Sequence, residues 1–175
     1  SWWVKNQDTE WRHVFLIPGQ PLGKQRPRMT RTGHVYTPKK TVEWEMAAAW
    51  IMKNQFRSEP IDEPCVLVVV AVAARPKRLM LRKDPEHRVW CPMKPDFDNT
   101  AKIVADAMVK AGVLRDDKVV VDGRCLTVYA AKSEGPCVEV LLSSASDYPL
   151  PLSFDFQSEV NDVGDDSNDG DVAWW

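Results

Sequence analysis

The 175-residue sequence predicts an α+β fold, a mixed β-sheet with two main helices in the order β-α-β-α-β-β. Three observations carry that prediction. The run from Val66 to Ala74 is apolar but short, and reads as a buried strand. Helical periodicity appears on either side of it, after Thr37 and again after Asp98. Beyond the second helix, a Val-rich stretch from Lys118 to Ala130 is followed by the turn Lys132-Ser133-Glu134-Gly135-Pro136 and a second strand, Cys137 to Leu142, which together read as a β-hairpin.

Each element has its own local reason. Residues 1–10 contain Trp2 and Trp3 but no period, and are read as an arm. Arg12 to Pro18 is a strand, with Val14, Phe15, Leu16 and Ile17 in sequence. Thr37-Pro38 starts the first helix, threonine as cap and proline at the first helical position. Val42, Met46, Ala49 and Trp50 share one face, assigned to the core or to a dimer interface, and the helix ends near Phe56. Ser58 to Pro64 is a loop and Cys65 to Ala73 the central strand. Pro92 and Pro95 keep the approach to the second helix extended, because a residue before proline avoids the α region. That helix runs from about Asn99 to Ala111, with Asp98 as N-cap and Gly112 at C′. Its apolar face is Ile103, Val104, Ala107, Met108 and Ala111. Trp90 and Phe97 are assigned to core packing.

Around this second helix the sequence places acids that packing does not require. Asp96 and Asp98 alternate just before it, Asp116 and Asp117 follow it, and Asp106 and Asp122 lie within and beyond. Carboxylates are rarely buried without a partner. Taken singly, Asp98 is explained as a cap and Asp116-Asp117 as a polar turn; the set, with Lys102 one turn into the helix, is better explained by a divalent cation. Mg²⁺ takes hard oxygen ligands from one or two carboxylates and accepts phosphate oxygens. If the strand after Asp117 pairs beside the segment carrying Asp96, three or four carboxylates converge at one end of the sheet.

Charge is distributed unevenly. Residues 146–175 hold eight of the 25 acidic side chains and no Lys or Arg, so the rest of the chain sets 23 basic against 17 acidic residues, a formal charge of +6. A basic body with an acidic tail points to nucleic acid. Two basic stretches stand out: Lys24, Arg26, Arg28 and Arg31 in one, and Arg75, Lys77, Arg78, Arg82, Lys83 and Arg88 in the other. Both read as DNA-binding loops, with a plain solvated loop as the alternative for each. The domain division is a body of residues 1–145 and an acidic tail of residues 146–175. The tail has the composition of a segment without stable structure of its own. It ends in Trp174-Trp175, and is read as solubilising, as docking a partner protein, or as folding over the basic loops. Cys65, Cys91, Cys125 and Cys137 lack zinc-site spacing and are expected to be reduced and partly buried. No signal peptide is read and no apolar run is long enough to span a membrane, so a cytoplasmic location is expected.

Lys94-Pro95-Asp96-Phe97-Asp98-Asn99, then Lys102, Asp106 and Ala107, then Asp116-Asp117, resembles the signature of the RusA family of Holliday junction resolvases. The resemblance is densest over residues 94–122 and looser from about His13 to Ser143. It implies a homodimer of bacterial, phage or prophage type that depends on Mg²⁺ or Mn²⁺ and makes paired nicks in four-way DNA junctions. It also implies Asp96, Asp98 and Asp117 as essential carboxylates and metal ligands, Asp116 as a further ligand or neighbour, and Lys102 as the catalytic lysine beside the scissile phosphate. Thr100 departs from the pattern, standing where an aliphatic residue is usual. Two rivals remain. One is a PD-(D/E)-x-K nuclease built on Pro95-Asp96 and Asp116-Asp117-Lys118, disfavoured by the helix between its halves. The other is a branched- or single-strand-DNA-binding protein without catalysis.

Overall fold

In the computed structural model, the described residues are 11–92 and 96–148. The arm and the tail beyond Tyr148, including Trp174 and Trp175, lie outside them, as does Lys94. A five-stranded sheet carries two helices, confirming the mixed α+β class. The strands are β1 (His13–Pro18), β4 (Cys65–Ala73), β5 (Val89–Trp90), β6 (Val120–Tyr129) and β7 (Cys137–Ser144), in the spatial order β1-β7-β4-β6-β5. A separate two-stranded ribbon, β2 (Arg28–Met29) with β3 (Val35–Tyr36), was not expected from the pattern. The helices are α1 (Lys39–Gln55) and α2 (Phe97–Ala111).

β4 takes the centre because it is apolar on both faces and nearly all of it is buried. That position overturns the expected hairpin. β6 pairs with β4 in parallel and β7 pairs with β4 antiparallel, so β4 separates the two strands that the Lys132–Pro136 turn seemed to join. A short polar turn reports that the chain reverses, not which strand it returns beside.

The two helices and the sheet enclose one main core. Phe15 and Ile17 of β1, Leu67 and Val69 of β4, and Val138, Val140 and Leu142 of β7 meet Ile103, Val104, Ala107 and Met108 of α2 there. Each fully buried aliphatic side chain contributes about 1.5–3 kcal/mol. The expected apolar face of α2 is therefore the face it buries, and Gly112 ends the helix with φ 73°, a left-handed value that favours glycine. The start differs by two residues. Asp96 occupies the cap position without a side-chain capping bond, and Asp98 falls in the first turn. Thr100, the departure from the family pattern, is fully buried and its backbone N–H donates to Asp96 O at 3.2 Å.

α1 corrects the sequence reading more sharply. Pro38 is the capping position and no side chain caps the helix, so Thr37 does not do so. The buried residues are Thr41, Glu45, Ala48 and Met52; Val42, Met46 and Trp50 look outward, Trp50 with 69% of its surface exposed. The helix is turned because Glu45 is drawn inward by Lys24 and Lys110. Trp90 (73% exposed) and Phe97 (65%) are likewise not core residues. All four cysteines are free thiols, three of them buried, and burial raises the pKa of Cys65 and Cys125 to about 11.

Candidate active site

The residues around α2 build the site. Asp96 and Asp98, both exposed, stand at its N-terminal end. Lys102 follows Asp98 by four residues, on the same side of the helix, exposed and without an ion pair among the described residues. Asp116 and Asp117 lie beyond the other end, in the turn that leads into β6. Asp116 Oδ1 accepts from Lys118 N at 2.9 Å, and this bond holds the Asp116 carboxyl below its ordinary value.

Among the described residues the two acidic pairs do not form a three-ligand group with atoms within 4.8 Å of one another. α2 has 15 residues. At a rise of about 1.5 Å per residue it is about 22 Å long. β5 does pair with β6, but at the far end of β6, Trp90 opposite Val128. Asp116 and Asp117 instead share a cleft of about 410 Å³ with Lys24, Glu45, Asp106, Val109, Lys110 and Arg115, on the C-terminal half of α2. As donors the four aspartates suit a hard divalent cation, being accessible carboxylates with free oxygen lone pairs. Among the described residues the three-ligand group with atoms within 4.8 Å of one another is elsewhere, Glu134, Cys137 and Glu139. There Arg88 already bonds both glutamates, and burial raises the Cys137 thiol's pKa, so the group is an ion-pair cluster.

That cleft contains an ion network absent from the sequence reading. Glu45 is buried, with only 2% of its side chain exposed, and accepts from both Lys24 and Lys110. Lys24 Nζ also reaches Asp106 Oδ2 at 2.7 Å, and its backbone N–H donates to Asn99 O at 2.9 Å. Asp106 thus pairs with Lys24, not with Lys102. Lys24 ties its loop to both helices and is not a free cation for phosphate. The one signal for Glu45 in the sequence is its place in the Thr41, Glu45, Ala48, Met52 series, which reads as a polar interruption until its partners are known.

Burial alone would raise the Glu45 pKa; the bonds from Lys110 and Lys24 outweigh it and hold it below the ordinary 4.5. A group with a depressed folded pKa contributes stability that is present above its unfolded pKa and lost as pH falls through the folded value. Wild-type protein should lose Tm steeply below pH 4.5. Glu45→Gln should be about 1.5–3 kcal/mol less stable at neutral pH, with a flatter acid limb. Thermal unfolding across that range checks this, and parallel curves would deny Glu45 the role.

The second basic stretch is also partly committed. Arg75 donates to four backbone carbonyls, those of Leu79 (2.8 Å), Pro85 (2.7 Å), His87 (2.8 Å) and Ala130 (3.4 Å), and so braces its loop. Arg78 lies close enough to Tyr129 to oppose the rise that burial gives its phenol pKa. Lys77, Arg82 and Lys83 are exposed with no ion pair among the described residues, as are Arg26, Arg28 and Arg31.

The family model of the endodeoxyribonuclease RusA matches residues 18–142, a span holding both acidic pairs, Lys102 and the sheet apart from most of β1 and the last two residues of β7. The chain belongs to the RusA family of endodeoxyribonucleases. Among curated proteins, it is similar to the crossover junction endodeoxyribonuclease RusA of Aquifex aeolicus (strain VF5), at 27% identity over 109 residues, 62% of this chain and 73% of that protein.

Proposed function

We propose that this chain is a metal-dependent endodeoxyribonuclease that nicks four-way (Holliday) and related branched DNA junctions in symmetric pairs. The observation that carries the reading is the RusA match across residues 18–142, which spans every residue of the acidic set. Mg²⁺, with Mn²⁺ as substitute, is the cofactor we assign to Asp96, Asp98, Asp116 and Asp117. When bound, such an ion activates water and neutralises charge on the attacked phosphate. The chain's own part is to fix the ligands on the ends of α2 and to hold Lys102 where negative charge develops on the phosphate. Arg26, Arg28, Arg31, Lys77, Arg82 and Lys83 grip the DNA backbone, an attraction that salt weakens.

The separation of the acidic pairs supports a homodimer in which Asp96 and Asp98 of one copy and Asp116 and Asp117 of the other form each metal site. Twofold symmetry would then supply two such sites for paired nicks. With the core use of Val42, Met46 and Trp50 excluded, their stripe on α1 offers an apolar surface for that contact. Residues 146–175 are treated as a separate acidic appendage, able to dock a partner protein or its own body, and the protein is placed in the cytoplasm.

The test is a nicking assay on a synthetic four-way junction beside linear duplex of the same sequence, in Mg²⁺, in Mn²⁺ and in EDTA. Paired nicks on the junction alone, abolished by EDTA, are expected. Tight binding with no nicks under either metal would instead support a binding protein.

A further inference from the structure

The β2–β3 ribbon carries apolar side chains where a solvated ribbon would carry polar ones. Arg28 stands opposite Tyr36, and Met29 opposite Val35. Neighbours on a strand point to opposite faces, so Arg28 and Tyr36 share one face and Met29 and Val35 the other. Met29 is 71% exposed and Val35 60% exposed. The ribbon is not a loose excursion. At its tip Thr30 N donates to His34 O at 2.8 Å, His34 N to Thr30 Oγ1 at 3.0 Å, and Gly33 N to Thr30 O at 3.0 Å. Gly33 has φ 83°, which the turn requires and glycine supplies. At its root, Lys24 is bonded to Asn99 O, to Asp106 and to Glu45, so the ribbon leaves the body beside the residue that follows Asp98.

Two observations identify what this arm meets. The chain contains no Asp or Glu from residue 11 to residue 42, and Arg26, Arg28 and Arg31 have no ion pair among the described residues. The arm is therefore cationic, apolar on one face, and anchored next to the acids of α2. An apolar pair on a cationic ribbon fits DNA in which base faces are already uncovered. On linear duplex, a wedge of this kind must first unstack a base step. At the centre of a four-way junction, base pairs at the crossover lack a continuous stacking neighbour, so contact with them avoids that cost.

We propose that the β2–β3 ribbon makes the enzyme selective for branched DNA: Met29 and Val35 lie against exposed base faces at the crossover, while Arg28 and Arg31 hold the flanking phosphates. This rests on the reading of the chain as a branched-DNA nuclease. It adds to that reading a surface that recognises branching, distinct from the groups that cut.

The test compares the full chain with a Met29→Ser/Val35→Thr double variant, which keeps a β-branched residue in β3. Affinity is measured for a four-way junction and for linear duplex of matched sequence, without divalent metal, and a fluorescent adenine analogue at the crossover reports base contact. The double variant should lose about tenfold in junction affinity, the scale of losing a base-stacking contact, with duplex affinity unchanged and the fluorescence change abolished. Arg28→Ala should weaken both substrates alike and reduce the salt slope by about one. Because both altered side chains are exposed, the variants should melt with wild type; if the double variant does not, Met29→Ala alone is read by the fluorescence change. A variant that keeps both junction preference and fluorescence change overturns the ribbon's role and leaves the nuclease reading standing. A wild type that binds junction and duplex equally overturns the reading beneath it, and the ribbon's selectivity with it.

Discussion

Subunits carrying Asp98→Asn and subunits carrying Asp117→Asn, each unable to nick a junction alone, should recover nicking of one strand when mixed. The reasoning is geometric. Asp98 sits in the first turn of α2 and Asp117 in the 3₁₀ turn beyond its C-terminal end, with a helix of 15 residues between them. Among the described residues these carboxylates are not gathered into a three-ligand group within 4.8 Å of one another, the spacing that one divalent ion needs. In a site shared between two copies, the mixed dimer contains one site with both lesions and one with neither. The intact site cuts once, so the product is a singly nicked junction. If each copy carried a complete site, every site in the mixed dimer would hold one lesion and nothing would be cut. Asn keeps the size and most of the hydrogen-bonding reach of Asp while removing the charge, so junction binding should survive in both variants or strengthen, as negative charge near phosphate is removed. Single-turnover nicking after subunit exchange, with strands labelled separately, distinguishes the outcomes. Full activity in either variant alone would remove that aspartate from the site.

The distribution of these residues explains what could be read in the chain. α2 was legible because its apolar positions, Ile103, Val104, Ala107, Met108 and Ala111, repeat at helical spacing and are the ones buried. β4 was legible because a strand covered on both faces leaves no alternation. α1 was misread for the opposite reason. Its outward stripe of Val42, Met46 and Trp50 is more apolar than its buried stripe, which contains Thr41 and Glu45. Glu45 goes inward only because Lys24, 21 residues before it, and Lys110, 65 residues after it, converge there. No local pattern contains that information. The same holds for Arg75, whose carbonyl acceptors extend to Ala130, and for β6 and β7, whose separation by β4 depends on a strand far earlier in the chain. The acids themselves were legible as a set. Their division between the two ends of α2 was present in the numbering.

Lys102→Ala should lower the single-turnover nicking rate by about 10²–10³-fold while changing junction affinity little, and Lys118→Ala should change neither by much. Lys102 is one helical turn from Asp98 on the same side of α2, exposed, and free of ion pairs among the described residues. Asp106, four residues further along α2, is taken by Lys24. An ammonium left unpaired beside two carboxylates is placed to meet the additional negative charge that develops on a phosphate during hydrolysis, and the substrate itself supplies the missing counter-ion. Lys118 has a different setting. It belongs to the turn after α2, and its backbone N–H donates to Asp116. A PD-(D/E)-x-K site would instead require the Lys118 ammonium beside Asp96, across the full helix that separates them. Rates measured at saturating enzyme separate a loss in chemistry from a loss in binding. Loss of nicking in Lys118→Ala with activity retained in Lys102→Ala would reverse the assignment and return the site to the two-strand motif.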